Sequence, residues 1–129
     1  MTRRAISTAA APAAVGPYSQ AITTDDLVFC SGQVGLDPAT GDLVPGGLEA
    51  QVERVIQNLA AVLDAAGCTL ADVVKTTCFL TDINDFATFN GIYARFMPDP
   101  PPARSTFAVK GLPKAALVEI EAIAVRDRG

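Results

Sequence analysis

The sequence predicts an α+β fold, with two helices laid on one face of a β-sheet, in a single domain covering residues 1–129. Three observations carry this expectation. Two segments place apolar residues at helical spacing, and several short runs of β-branched and apolar residues, bounded by turn residues, read as strands. Half of the 129 residues are hydrophobic, mostly Ala, Val, Ile and Leu with no Trp. That composition suits sheet and helix packing and argues against disorder.

The elements follow in chain order. An initial strand is expected near Ala5 to Ser7. "DDLVFCSG" (25–32) has turn residues at both ends of a short apolar run and reads as a strand, continued by "QVGLD" after a kink at Gly32. "DPATGDLVPGG" (37–47) is dense in turn signals and reads as a loop. From Leu48 the period changes: Leu48, Val52, Val55, Ile56, Leu59, Val62, Leu63 and Ala66 fall on one side of a helix, while Gln51, Glu53, Arg54, Gln57, Asn58 and Asp64 lie elsewhere on the wheel. Gly67 is placed to stop it. "ADVVKTTCFLTD" (71–82) alternates and is β-branched, hence a strand. Helical spacing returns over 84–97 through Phe86, Phe89, Tyr93, Phe96 and Met97, with Asn84 or Asp82 as cap and Pro98 near the end. "PDPPPA" (98–103) is a stiff connection that delivers Arg104 at a fixed place. "RSTFAVKG" and "ALVEIEAIAVR" are two further strands separated by "LPKA".

Two helices cover only one face of such a sheet. In "LVEIEAIAV" one face carries Val118, Ile120, Ala122 and Ala124, the other Glu119, Glu121, Ile123 and Val125. Neither is cleanly polar, so the second face is expected to be buried in a homo-oligomer.

Composition also excludes. The formal charge is −4 and no basic run occurs, so nucleic acid is not an expected partner. No apolar stretch approaches the ~18 residues needed to span a bilayer. The N-terminal "MTRRAISTAAAPAAVG" lacks a Leu-rich centre and is broken by Pro12, and it reads as part of the mature fold rather than a targeting peptide. Cys30, Cys68 and Cys78 form no CxxC pair, which suggests neither a zinc site nor a disulfide framework and fits a reducing, cytoplasmic location. Cys30 and Cys78 read as small core residues. With no histidine in the chain, Ser-His and Cys-His nucleophile pairs and imidazole-based metal sites are excluded.

Carboxylates, arginine and hydroxyls are left to carry chemistry. Arg104 is either a strand-end arginine in water or a structural ion pair, or a planar fork that holds a substrate carboxylate. Glu119 is either a solvent-facing or charge-paired strand residue, or a carboxylate at the edge of an apolar site that polarises a water. Tyr18 in "GPYSQ" and Ser31 with Gly32 in "CSGQ" are weak signals that packing or a bulge equally explains. Asn90 is a polar residue on a mostly apolar helix and serves equally to satisfy a backbone group.

Taken jointly and in order, "APAAVGPYSQA", "FCSGQVGLDPATG", "NLAAVLDAAGCTLADVVKTTCFLTDINDFATFN" and "PPARSTFAVKGLPKAALVEIEAIAV" resemble the RidA/YjgF family over roughly Ala5 to Arg126. The resemblance implies a chorismate-mutase-like mixed sheet that trimerises through the face opposite its two helices, with clefts between subunits. It implies cofactor-free hydrolysis of 2-enamine and 2-imino acids, such as 2-aminoacrylate, to 2-oxo acids and ammonia. Arg104 would grip the substrate carboxylate and Glu119 would orient the water. Tyr18, Ser31 and Gly32 would line the cleft, with Asn90 near the subunit boundary. Thr106 stands where some members carry cysteine, which puts any thiol role at that position in doubt. An iminium carbon is already electrophilic, so positioning and one polarised water suffice for such a reaction. Two other readings remain: a non-catalytic, small-ligand-binding regulatory trimer, and an endoribonuclease, which the acidic balance and missing histidine disfavour.

Overall fold

The computed structural model describes residues 2–126. The strands are β1 (Arg3–Ile6), β2 (Ala21–Thr24), β3 (Leu27–Val34), β4 (Val73–Leu80), β5 (Ala103–Ala108) and β6 (Val118–Val125); the helices are α1 (Gly47–Ala65) and α2 (Phe86–Ala94). They form one mixed sheet in the order β1-β2-β3-β6-β4-β5, antiparallel except for the parallel β4–β5 pair. The expected α+β architecture is therefore present, with one strand, β2, that the sequence does not announce.

α1 forms because its apolar residues recur on one stripe, and Val52, Val55, Ile56, Leu59, Val62 and Leu63 are buried against β3 and β6. It ends at Gly67, whose φ of +83° lets Cys68 N–H reach Leu63 O at 2.8 Å and Gly67 N–H reach Asp64 O at 3.0 Å. Two polar residues of this helix depart from expectation. Asn58 is wholly buried, donating from Nδ2 to the carbonyls of Val34 and Leu36 at 3.2 and 3.0 Å. Gln51 is also buried, and its Oε1 accepts from Leu117 N–H at 2.8 Å. Both satisfy backbone groups in the turns beside the sheet, which explains polar residues at core positions.

α2 is shorter than the expected 84–97. Ile83–Asp85 instead forms a tighter turn, where the Asp82 side chain accepts from Asn84 N–H at 2.9 Å. Val118, Ile120, Ala122 and Ala124 point to the helices and are buried, as the alternation predicts. Among the described residues nothing covers the opposite face: Leu27, Phe29, Val74, Phe107 and Val125 are exposed. Among the described residues no helix is long and apolar enough to cross a membrane.

Candidate active site

Glu119 lies on the open face of β6, and β3 is shaped to receive it. Between β3 and β6, Cys30 pairs with Ala122 and Gln33 with Ile120, so β3 carries one extra residue over that interval. This bulge turns Ser31 and Gly32 to the same side as Glu119 and Glu121. A Cβ at position 32 would overlap the Glu119 carboxylate, so the absence of a side chain is what lets the carboxylate lie across β3. Burial pushes the Glu119 carboxyl above the usual carboxylate range, and the negative charge of Glu121 pushes in the same direction. Such a group is poised to accept a proton nearer neutrality than an exposed glutamate.

The cleft in front of Glu119 is lined by Tyr18, Ser31 and Gly32, together with Val15 and Lys114 at its rim. The Ser31 hydroxyl donates to Ser19 O at 2.6 Å, so its proton is committed to holding the turn, and its oxygen keeps acceptor capacity only. Tyr18 is half exposed, and its hydroxyl accepts a long bond from Val15 N–H at 3.4 Å. The wall that carries Tyr18 is tied down by Gln20, a buried residue that the sequence reading passes over. Its amide donates to Pro12 O at 2.7 Å and Thr8 O at 3.1 Å, while its carbonyl accepts from Thr8 N–H at 2.7 Å. At the other rim, Lys114 and Ala115 both adopt left-handed backbone, with φ of 61° and 56°, a costly conformation for residues with a Cβ. The sequence signal for Gln20 is only a polar residue that follows a Gly-Pro turn and precedes a strand.

Arg104 is elsewhere. In the β4–β5 ladder it stands opposite Thr76, whose side chain is buried under the helices, whereas Glu119 stands opposite Phe79 on the other side of β4. Facing partners in a ladder share a sheet face, so Arg104 and Glu119 project from opposite faces. Within one chain they do not converge. Arg104 opens instead on a second cleft shared with Asn90, Met97 and the proline run. Its guanidinium lies 5.0 Å from the Tyr93 ring centroid, 5.6 Å from Phe86 and 5.7 Å from Phe89. Among the described residues the ion pairs are those of Arg95 with Glu49 and Glu53, and none involves Arg104. A cation held by ring faces keeps its N–H edge available for a carboxylate.

Two further predicted site residues belong to this second group. Asn90 Oδ1 and Thr106 Oγ1 are buried, and neither has a hydrogen-bond partner. Beside Thr106 in register, Cys78 is buried, and burial pushes its pKa to about 11. Among the described residues no group of three His, Cys, Asp or Glu side chains is placed to hold a metal.

The chain thus carries two separate groups of candidate residues, one around Glu119 (Tyr18, Ser31, Gly32) and one around Arg104 (Asn90, Thr106). Gly32→Ala tests the first. The added methyl should displace the Glu119 carboxylate and lower activity on the order of 10²-fold, the scale expected for about 1 Å of misplacement, with the fold retained. Turnover rate and circular dichroism on one preparation check this.

Comparison with known proteins gives concordant matches. The family model described as Endoribonuclease L-PSP matches residues 8–126. The chain is 50% identical over 126 residues to a protein from Bos taurus named 2-iminobutanoate/2-iminopropanoate deaminase, covering 98% of this chain and 92% of that one. Among solved structures, RidA from the Antarctic bacterium Psychrobacter superposes with a TM-score of 0.91 at 46% identity, covering 95% of this chain and 98% of the other. E. coli TdcF with bound serine superposes with a TM-score of 0.89 at 42% identity, covering 96% and 99%.

Proposed function

The chain belongs to the Endoribonuclease L-PSP family, the RidA/YjgF family, and from that premise we propose that it is an enzyme that hydrolyses 2-imino acids and their enamine tautomers to 2-oxo acids and ammonia. The observation that carries the reading is the desolvated Glu119 carboxylate, seated across Gly32 in a cleft, in a chain half identical to a named deaminase of this chemistry.

The second half-site supplies the substrate's grip. Two-imino acids carry a carboxylate next to the reacting carbon, and Arg104 offers an unpaired planar cation of the right shape. A relative that binds serine, another small molecule with an α-carboxylate, agrees with this ligand class. Because the two half-sites face opposite sides of the sheet, we place the complete cleft between subunits of a homotrimer, where Arg104 of one chain meets Glu119 of the next. The exposed apolar face formed by Leu27, Phe29, Phe107 and Val125 supports such an assembly.

In the proposed reaction the carboxylate docks on Arg104. A water held by Glu119 attacks the imine carbon; its oxygen bonds to that carbon, the C=N π pair moves to nitrogen, and Glu119 takes a proton. Glu119 returns that proton to the nitrogen, giving the neutral carbinolamine; it then takes the proton of the new hydroxyl as the C=O bond forms and the C–N bond breaks, and passes it to the departing nitrogen, which leaves as ammonia. The balance is one imine and one water in, one 2-oxo acid and one ammonia out. No cofactor enters the scheme.

The test is ammonia release from freshly generated 2-aminoacrylate and 2-iminobutanoate, with light scattering on the same sample. We expect hydrolysis above the spontaneous rate and a trimer mass. A stable monomer at micromolar concentration overturns the shared cleft. A trimer that binds short carboxylates without accelerating hydrolysis returns the chain to a regulatory, ligand-binding role. The endoribonuclease in the family's description is the weaker alternative, since the chain is acidic and has no histidine. RNA cleavage that disappears in an Arg104 and Glu119 double variant would revive it.

A further inference from the structure

The guanidinium of Arg104 has no ion pair to orient it among the described residues, yet it sits at similar distances from three rings of α2. The nearest of those rings, that of Tyr93, is itself fixed. The Tyr93 hydroxyl and the Thr76 hydroxyl lie 2.7 Å apart in a hydrogen bond, and both residues are buried. Thr76 is also the residue directly opposite Arg104 in the β4–β5 ladder. The strand position that carries the arginine is therefore paired with the position that anchors the ring beneath it. Phe89 packs against Tyr93 with ring centroids 5.4 Å apart and closes the second side. Resting on the deaminase reading above, we propose that Tyr93, locked by Thr76, is the positioning residue for Arg104, setting the guanidinium plane so that its N–H edge faces the substrate carboxylate.

The physical reason is that a cation on ring faces is held by a soft attraction that sets its distance well and its rotation poorly. Bidentate carboxylate binding requires a defined rotation. A ring fixed at both ends, by its helix and by Thr76, removes one degree of freedom from the surface on which the guanidinium rests. Tyr93 also lines the cleft beside Arg104, and the role proposed for it is exerted through Arg104.

The experiment compares four proteins: wild type, Tyr93→Phe, Thr76→Val and Thr76→Ser, each also in the Arg104→Lys background. Two readouts are taken: kcat and KM for 2-iminobutanoate, and direct calorimetric binding of the product carboxylate 2-oxobutanoate. Tyr93→Phe and Thr76→Val should each raise KM and weaken 2-oxobutanoate binding by about 3- to 10-fold, the loss of one buried neutral hydrogen bond, with kcat within about twofold. Thr76→Ser keeps the hydroxyl and should restore wild-type binding. In the Arg104→Lys background none of the three changes should shift binding further, because the group being positioned is gone.

A merely structural hydroxyl pair would lower the thermal midpoint in both backgrounds and leave KM and product binding unchanged, and that result overturns the proposal. The outcome is separable from that of the deaminase reading. Arg104-dependent, Tyr93-sensitive binding of 2-oxobutanoate without imine hydrolysis sinks the enzyme reading and keeps this one. Full hydrolysis with binding indifferent to Tyr93→Phe and Thr76→Val does the reverse.

Discussion

Replacing Glu119 with Gln is expected to lower kcat for imine hydrolysis by on the order of 10²–10⁴-fold, as for other general bases, while 2-oxobutanoate still binds through Arg104. The substitution keeps the size of the side chain and one acceptor oxygen, so the packing across Gly32 persists and only the proton acceptor is lost. Stability should move the other way from a structural ion-pair residue. Burial and the charge of Glu121 raise the Glu119 pKa in the folded protein, so the folded state holds this proton more tightly than the unfolded chain does. That contribution is complete below the ordinary carboxylate pKa and is lost as pH rises through the raised value. At neutral pH the ionised carboxylate therefore destabilises the fold, and Glu119→Gln should melt no lower than wild type at pH 7, with any advantage disappearing in acid. In wild type the acid limb of the kcat profile should lie above the range of an exposed glutamate. A variant that is folded, less stable and fully active would remove Glu119 from the chemistry.

Arg104→Lys is expected to reduce kcat/KM by an amount equivalent to about 2–4 kcal/mol with the oligomeric state unchanged. The charge survives, but the planar fork that lies among the rings of Phe86, Phe89 and Tyr93 does not. An ammonium in the same place is a point charge that attracts a carboxylate without orienting it. Steady-state kinetics with sedimentation of the same sample checks this, and near wild-type hydrolysis by the Lys variant would dismiss Arg104 as the anchor.

Much of this molecule was legible from its residues, for definable reasons. The apolar stripe of α1 and the alternation of β6 are long enough for periodicity to set both element type and buried face. β2 is four residues long, "AITT", and owes its strand character to pairing with β1 and β3 on either side, a tertiary effect that no local pattern carries. Gln51 and Asn58 look like surface positions because their partners are backbone groups far along the chain, at Leu117, Val34 and Leu36. Lys114 and Ala115 give no hint of left-handed backbone, which glycine or asparagine would have signalled. The chemistry-bearing residue types were identifiable, but their grouping was not. Alternation tells which residues of one strand share a face; it does not tell which face of β5 aligns with which face of β6, since that depends on the register through β4. Arg104 and Glu119 therefore read as one site on paper and lie on opposite faces of the sheet in the chain.

That separation has a hereditary consequence. If the cleft is completed between neighbours as proposed above, a chain damaged at Arg104 still presents a sound Glu119, and a chain damaged at Glu119 still presents a sound Arg104. Co-expressed in one cell, the two defective alleles would co-assemble, and at some junctions the two sound halves would meet, so that each allele partly complements the other. Two copies of the same defect would never do so. A lesion in Gly32 would be grouped by such crosses with lesions in Glu119, and one in Tyr93 with those in Arg104. A genetic map drawn from complementation alone would thus recover the two faces of the sheet.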